Sequence, residues 1–585
     1  MGQALEQWWG VSENVIRLAM RWLTATITVA LLLGTAATPT AASSFDPTKI
    51  DASFLTEILA SATDDFDVIV RSVPVENEGR AGRAAARRIE KAAKSVKEQG
   101  GSVKQALAIV GAVSARLKGV QILKLTRDGH VDYVVKDQKL QAQFDPALDS
   151  AKARTPGILE VNAPQAWSQL GLTGRGVGVA IVDSGVYAHP DLAGRIVASI
   201  DFTTASPTVS STSTGDPGGH GTHVAGLVAG DGTLSGGEYT GVAPRANIIN
   251  VRVIDANGGS NVSTILRGLQ WVLANRTTYN IKVVNLSLGA KAMGSYKSDL
   301  MATAAEVLNF AGVTVVVSAG NTGPLAGTIT TPATDPYVIT VGALDDNGTS
   351  LRLDDLMAIF SARGRTAFDN ISKPDLVAPG RKMVSLRSPG SELDTLFADR
   401  QVTATGALTA DYYRLSGTSM AAPVVAGVIA LMIERNPALS PAQIKKRLKS
   451  TATSLGFGTS FDRGAGLVNA YAAAASIDAS REYTPDRVSD AFAKDMRVFI
   501  QGQPFVWRDL TYHGGVDSAG TSWEGVTWEN VRWDAVTWEN LTWEGFTWEG
   551  VTWEGVTWEG VTWQSTDQQS TGAQSGTGAF WDPVD

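Results

Sequence analysis

Four apolar runs in the middle of the chain set the tightest limit on its fold. Residues 177–183, 246–253, 281–288 and 312–318 are rich in Val, Ile and Leu, and helical stretches separate them. A strand with one wet face alternates apolar and polar residues. Runs that stay apolar need cover on both faces, as in a parallel sheet between two layers of helices. The fold predicted for 159–475 is therefore α/β, with a mainly parallel sheet flanked by helices. Ligands of such sheets collect beyond the carboxyl ends of the strands. Asp183, Ser287 and Asn321 stand at or just past those ends.

At 585 residues the chain exceeds one ordinary domain. Its 50 basic and 58 acidic residues leave a net charge of −8, too acidic for electrostatic capture of nucleic acid. There is no cysteine, so disulfides, a thiolate nucleophile and cysteine-held metals are excluded. Residues 1–42 place Arg17 and Arg21 before an apolar stretch from Trp22 to Leu33, followed by small residues. That pattern predicts a signal peptide cut after Ala37 or Ala42, and hence secretion with or without attachment to the cell surface. The apolar stretch is shorter than the roughly 20 residues that span a bilayer; an uncleaved anchor is the competing reading.

Residues 43–150 read as a small α+β domain. Strands are expected near 67–72, 106–110 and 131–136, with an Ala/Arg/Lys-rich helix over 80–97. The α/β domain is expected over 151–478, a linker over 479–522, a repeat over 523–563 and a polar tail over 564–585.

Four short segments bring chemistry to the α/β unit. Asp183 ends an apolar run, where a buried acid needs a partner; the other reading is a turn residue. His220 sits in Gly-Gly-His-Gly-Thr-His, where glycines admit a substrate backbone. His130 and His513 fall outside the unit. His223 reads as a packed, hydrogen-bonded histidine, because the His220–His223 pair lacks the acidic motif of a zinc site. Asn321 follows a strand within Ala-Gly-Asn-Thr-Gly, as a turn residue or an amide donor. Ser419 opens an apolar helix, as an N-cap or as a hydroxyl at the positive helix end. Pro423 is tolerable only near a first turn, which places the helix start close to Ser419. Carboxylate, imidazole, carboxamide and hydroxyl are the parts needed to attack an amide carbonyl and hold the oxyanion.

These segments resemble the subtilisin-like serine proteases over roughly 155–475, and the chain order Asp, His, Ser is that of the family. The segments 331–343, 360–364, 373–380 and 464–469 look like further family signatures. The resemblance implies a serine-type endopeptidase with Ser419 as nucleophile, His220 as general base and Asp183 as its orienting acid. Asn321 and the Ser419 N–H would form the oxyanion hole. Ser287, Leu288, Gly289 and Gly320 would contact the substrate. It also implies that 43–150 is a propeptide, an intramolecular chaperone and inhibitor removed by self-cleavage between 141 and 152. No cofactor is implied for catalysis. A structural calcium is admitted without an assigned site, since Asp231 and Glu238 in the loop 230–241 match no known spacing.

Beyond the linker, nine tryptophans from Trp523 to Trp563 recur every five residues, mostly as Val-Thr-Trp-Glu-Gly. A period of five suits neither a flat strand nor a helix. It fits a solenoid coil, extended disorder, or an aromatic surface for cell-wall sugars or self-association. The partners expected are protein or peptide substrates, the propeptide itself and a cell-wall or self-association partner for the repeat. A second class of function stays open: a catalytically silent adhesion protein that works through the repeat.

Overall fold

The computed structural model describes residues 45–73, 81–142, 157–349, 352–480 and 489, together with the backbone of short strands between 505 and 571. The signal segment, the expected cut beyond Ala142 and the polar tail after 571 lie outside the described residues.

In the N-terminal domain, β1 (Asp65–Ser72), β2 (Ser102–Leu107), β3 (Ala112–Lys118) and β4 (Val131–Lys136) form an antiparallel sheet in the order β2-β3-β1-β4. Helix α1 (Ala52–Ala60) starts where the Asp51 carboxylate accepts the N–H groups of Ser53 and Phe54. Helix α2 (Ala81–Glu98) buries Ala92 and Val96 against Val68, Val70 and Val113 of the sheet. The strand expected over 106–110 lies earlier in the chain, at Ser102–Leu107. It ends at Leu107, and Ala108–Val110 make one 3₁₀ turn closed by Gly111 at φ 58°. The run is apolar because this turn reaches the neighbouring domain: Leu107, Ile109 and Val110 share a core with Ile265 and Leu269.

After the N-terminal domain the chain makes strand β5 (Lys139–Ala142), discussed below. The α/β domain is built on β6 (Gly178–Asp183), β7 (Ile196–Asp201), β8 (Asn247–Arg252), β10 (Ile281–Leu286), β12 (Thr314–Ser318) and β13 (Ile339–Asp345). The sheet runs β7-β8-β6-β10-β12-β13, all parallel, with Leu376–Pro379 parallel to β13. The antiparallel β14 (Leu356–Met357) closes the edge. Consecutive residues feed opposite layers. Ala180 and Val182 join the core beneath helices α7 (Val262–Asn275) and α8 (Leu300–Phe310). Val179 and Ile181 join the core beneath α6 (His220–Ala229) and α9 (Thr418–Arg435). Cover on both faces explains why these strands are apolar throughout.

Helix α9 is long and apolar enough by composition to cross a membrane, but it is buried inside the protein. Each fully buried Val, Leu or Ile of such a helix contributes about 1.5–3 kcal/mol. Pro423 lies in its second turn, and the helix starts at Thr418, beside Ser419 as expected. The proline removes the N–H that would bond the Ser419 carbonyl. The Ser287 hydroxyl supplies the missing donor, at 2.9 Å.

In the tryptophan repeat, Thr527 lies opposite Thr547, Arg532 opposite Thr552, Thr537 opposite Thr557 and Thr542 opposite Thr562, in parallel strands. Each partner is 20 positions further on, or four pentapeptides. A constant parallel shift is the register of a solenoid, one of the arrangements expected for a period of five.

Candidate active site

The first two side chains of the site come from adjoining strand and helix ends. Asp183 is the last residue of β6, and His220 the first of α6. The helix approaches closely because residue 221 is glycine; a Cβ there would stand 2.1 Å from the Gly185 carbonyl and 3.1 Å from the Asp183 Cβ. His220 Nδ1 lies 2.7 Å from Asp183 Oδ1, and both side chains are buried. A carboxylate only accepts, so the ring proton sits on Nδ1 and leaves Nε2 as the basic nitrogen. Burial opposes the imidazolium, but the Asp183 carboxylate beside it prevails, and the His220 pKa rises above its usual value.

Asp216, which sequence reasoning passed over, ties this corner together. Its buried carboxylate accepts from the Ser184 hydroxyl at 2.8 Å, the Gly219 N–H at 2.8 Å, and both the N–H (2.8 Å) and hydroxyl (2.6 Å) of Thr222. Ser184 in turn accepts the Gly221 N–H at 3.0 Å. The end of β6 and the start of α6 are thereby fixed to one anion. Burial pushes the Asp216 pKa up, against the pull of those four donors.

Ser419 is the second residue of α9 and is fully buried. Its hydroxyl donates to the Ser287 carbonyl at 3.0 Å, while the Ser287 hydroxyl donates back to the Ser419 carbonyl. The pair locks the helix start to the segment that leaves β10. Helix α6 and the approach to Ser419 meet through a small antiparallel sheet. His223 Nε2 donates to the Met383 carbonyl at 3.0 Å, the Ser385 hydroxyl donates to the His223 carbonyl, and Met383 pairs with Leu415 just before Ser416 and Gly417. His223 is the packed histidine that was expected: burial depresses its pKa to about 3, so it stays neutral. His189 is structural too, with Nε2 at 3.0 Å from the Asp411 carbonyl.

Asn321 reaches the same corner from the end of β12. Its Oδ1 accepts both the N–H and the hydroxyl of Thr418, each at 2.9 Å. A backbone N–H can only donate, so the oxygen must face Thr418 and Nδ2 must face away. That Nδ2 is buried and has no hydrogen-bond partner among the described residues. Gly320 sends its own N–H to the Thr418 hydroxyl at 3.1 Å and has φ 115°, which favours glycine. Thr418, adjacent to the serine in sequence, is thus a second functional residue that sequence reasoning missed.

Leu288 and Gly289 form strand β11, and Gly259–Asn261 form β9. Between them runs β5. Ala142 lies opposite Leu288 and Gln141 opposite Gly289, while Lys139, Leu140 and Gln141 face Asn261, Ser260 and Gly259. Both ladders are antiparallel. An extended peptide from the N-terminal side of the chain therefore occupies the groove leading to Ser287 and Ser419.

Asp231 and Glu238 are engaged elsewhere. Asp231 accepts from the N–H and hydroxyl of Thr233 and lies 3.5 Å from Arg195, and Glu238 accepts the Thr405 N–H at 2.8 Å. Among the described residues, no group of three or more His, Asp or Glu side chains is arranged to hold a metal ion.

Comparison with known proteins agrees with this architecture. Residues 174–467 match the model of the subtilase family. Serine protease AprX of Bacillus subtilis is 41% identical over 304 residues, covering 51% of this chain and 66% of AprX, just under two thirds of that protein. Subtilisin E of Bacillus subtilis is 35% identical over 384 residues, covering 65% of this chain and 84% of subtilisin E. Among solved structures, fervidolysin from Fervidobacterium pennivorans, a keratinolytic enzyme related to subtilisin, superposes with a TM-score of 0.54 at 27% identity, covering 71% of this chain and 61% of fervidolysin. The chain belongs to the subtilase family, with its subtilisin-like α/β fold and the serine-type endopeptidase chemistry that defines it.

Proposed function

We propose that the chain is the precursor of a secreted serine endopeptidase that removes its own N-terminal domain. The observation that carries this reading is strand β5. A segment of the chain lies hydrogen-bonded on both edges in the groove beside Ser419, as a peptide substrate would. Ala142 lies opposite Leu288, the residue after Ser287, whose carbonyl holds the Ser419 hydroxyl. The domain that supplies β5 then serves as inhibitor, and a cut beyond Ala142 releases the enzyme.

In the proposed reaction the Ser419 Oγ attacks the substrate carbonyl carbon as its proton passes to His220 Nε2. Asp183 stabilises the imidazolium through the Nδ1–H bond. The carbonyl oxygen becomes an anion, held by Asn321 Nδ2–H and by the Ser419 N–H at the positive end of α9. His220 returns the proton to the leaving amine, and water repeats the sequence on the acyl-enzyme. Leu288, Gly289 and β9 align the peptide backbone, which favours unstructured protein or peptide substrates.

The competing reading, a silent adhesion protein, gains nothing from this site, where Asp183 holds His220 Nδ1 and Thr418 orients Asn321. The test is self-processing. The parent chain should convert to a form whose first residue lies within 143–152, and Ser419→Ala should stay full length. Normal maturation of Ser419→Ala with no other protease present would refute self-cleavage. Absence of fluorophosphonate labelling at Ser419 in the processed parent would favour the silent reading.

A further inference from the structure

Helix α8 carries an acid that catalysis does not use. Glu306 is fully buried, on a helix whose other buried residues include Leu300, Met301, Ala305, Val307 and Leu308. A carboxyl group in such a place is costly unless donors reach it. They come from a part of the chain more than 180 positions away.

Ser489 falls inside the stretch 479–522 that was expected to be a linker, yet it is wholly buried. Its N–H donates to both Glu306 oxygens, at 2.8 and 3.0 Å, and its hydroxyl donates to Oε2 at 2.6 Å. The Thr303 hydroxyl, three residues before Glu306 and so on the same helix face, donates to Ser489 Oγ at 2.9 Å. The chain is held on either side of this contact as well. Before it, the helix Pro441–Ser450 grips main-chain carbonyls: Arg447 donates to those of Ser476 at 2.7 Å and Asp478 at 2.5 Å, and Gln443 to that of Ala479 at 3.0 Å. After it, the strand Phe505–Arg508 lies against α8 and pairs in parallel with Val531–Asp534 of the repeat.

We propose that Ser489 is a latch that fastens the C-terminal region to the flank of α8, so that the tryptophan repeat is carried at a fixed place on the enzyme. The partner of the Glu306 surface is this chain's own segment. A serine suits it, because one residue supplies a peptide N–H and a hydroxyl to the same carboxyl group and still accepts from Thr303. The other end of α8 gives the placement a consequence. The helix is capped by Asp299, whose carboxylate accepts the Thr331 hydroxyl at 2.8 Å, and Thr331 pairs with Ala290, the residue after β11. One helix therefore joins the latch to the rim of the substrate groove. Whatever the repeat binds is held at a constant reach from that groove, which a free linker would not give.

The latch does not depend on self-cleavage, and its test needs no activity. The full chain carrying Ser419→Ala is used throughout. Because the sequence has no cysteine, Thr303→Cys with Ser489→Cys introduces a single pair of thiols, at positions whose hydroxyl oxygens stand 2.9 Å apart. Mild oxidation should join them in most molecules, seen by mass spectrometry as a linked peptide. Two thiols that both stay open to alkylation would overturn the latch. Ser489→Pro removes the N–H and the hydroxyl together. It should lower the melting temperature by a few degrees and raise the radius of gyration in X-ray scattering, as the repeat leaves α8. In a Glu306→Met background the same substitution should cost little, because no buried carboxyl group is left without donors. An equal loss in both backgrounds, or a parent already as extended as Ser489→Pro, would overturn the proposal and mark the C-terminal region as a trailing tail.

Discussion

The side chain of Thr418 offers a sharp test of how the oxyanion site is held. Its hydroxyl donates to Asn321 Oδ1 and accepts the Gly320 N–H, while its backbone N–H makes a second bond to the same Oδ1. Thr418→Val keeps the shape and the backbone bond and removes the hydroxyl. Asn321 then loses one of two orienting bonds. One such neutral bond is worth about 0.5–1.5 kcal/mol, which converts to a fall in kcat of about 2- to 13-fold. Complete loss of Asn321 sets the ceiling, at about 10²–10³-fold, the range known for removing one oxyanion donor in subtilisin, a member of the same family. Because Thr418 acts through Asn321, the two effects should not add. Adding Thr418→Val to Asn321→Ala should lower kcat little further, with KM nearly constant in all variants. Steady-state kinetics on a soluble peptide, with melting curves as a check on folding, gives the cycle. A full and independent penalty in the Asn321→Ala background would show that Thr418 does not work by orienting the carboxamide.

Two further predictions follow from the same corner. The logarithm of kcat/KM should fall as pH drops through a value above the ordinary histidine range, because His220 must be neutral to accept the Ser419 proton and its pKa is raised; an acid limb at or below that range would contradict the Asp183 pairing. In the Ser419→Ala background, Ser287→Ala should lower unfolding free energy by about 1–3 kcal/mol, since the buried carbonyl of residue 419 loses its donor. Adding Pro423→Ala should recover the part owed to that carbonyl, by returning a helical N–H to it; no recovery on denaturant titration would refute this role for the proline.

Much of the framework could be read from residues alone, because the buried strands announce themselves by composition and their ends by small polar residues. Asp183 and His220 pair as their types suggested, and Asn321 bonds Thr418, the neighbour of Ser419 in sequence. Asp216 and Thr418 escaped notice because nothing local marks them: an acid before a glycine pair and a threonine before a serine are ordinary until partners 32 and 97 positions away come into view. The turn at Ala108–Val110 was misread because a short apolar run does not distinguish a strand from a docking turn. Pro423 was expected only near the helix start because a helix interior normally cannot spare the bond. Here a serine from another element replaces it.

The strand that fills the groove has ladders on both of its edges, against β9 and β11. A filament held along one side can peel away bond by bond. One gripped on two sides leaves only when both sets of contacts fail together. On the proposed self-cleavage, cutting the chain would not in itself open the enzyme: the severed domain would stay in place as a tight complex, and the lag before activity would measure its departure, not the cut.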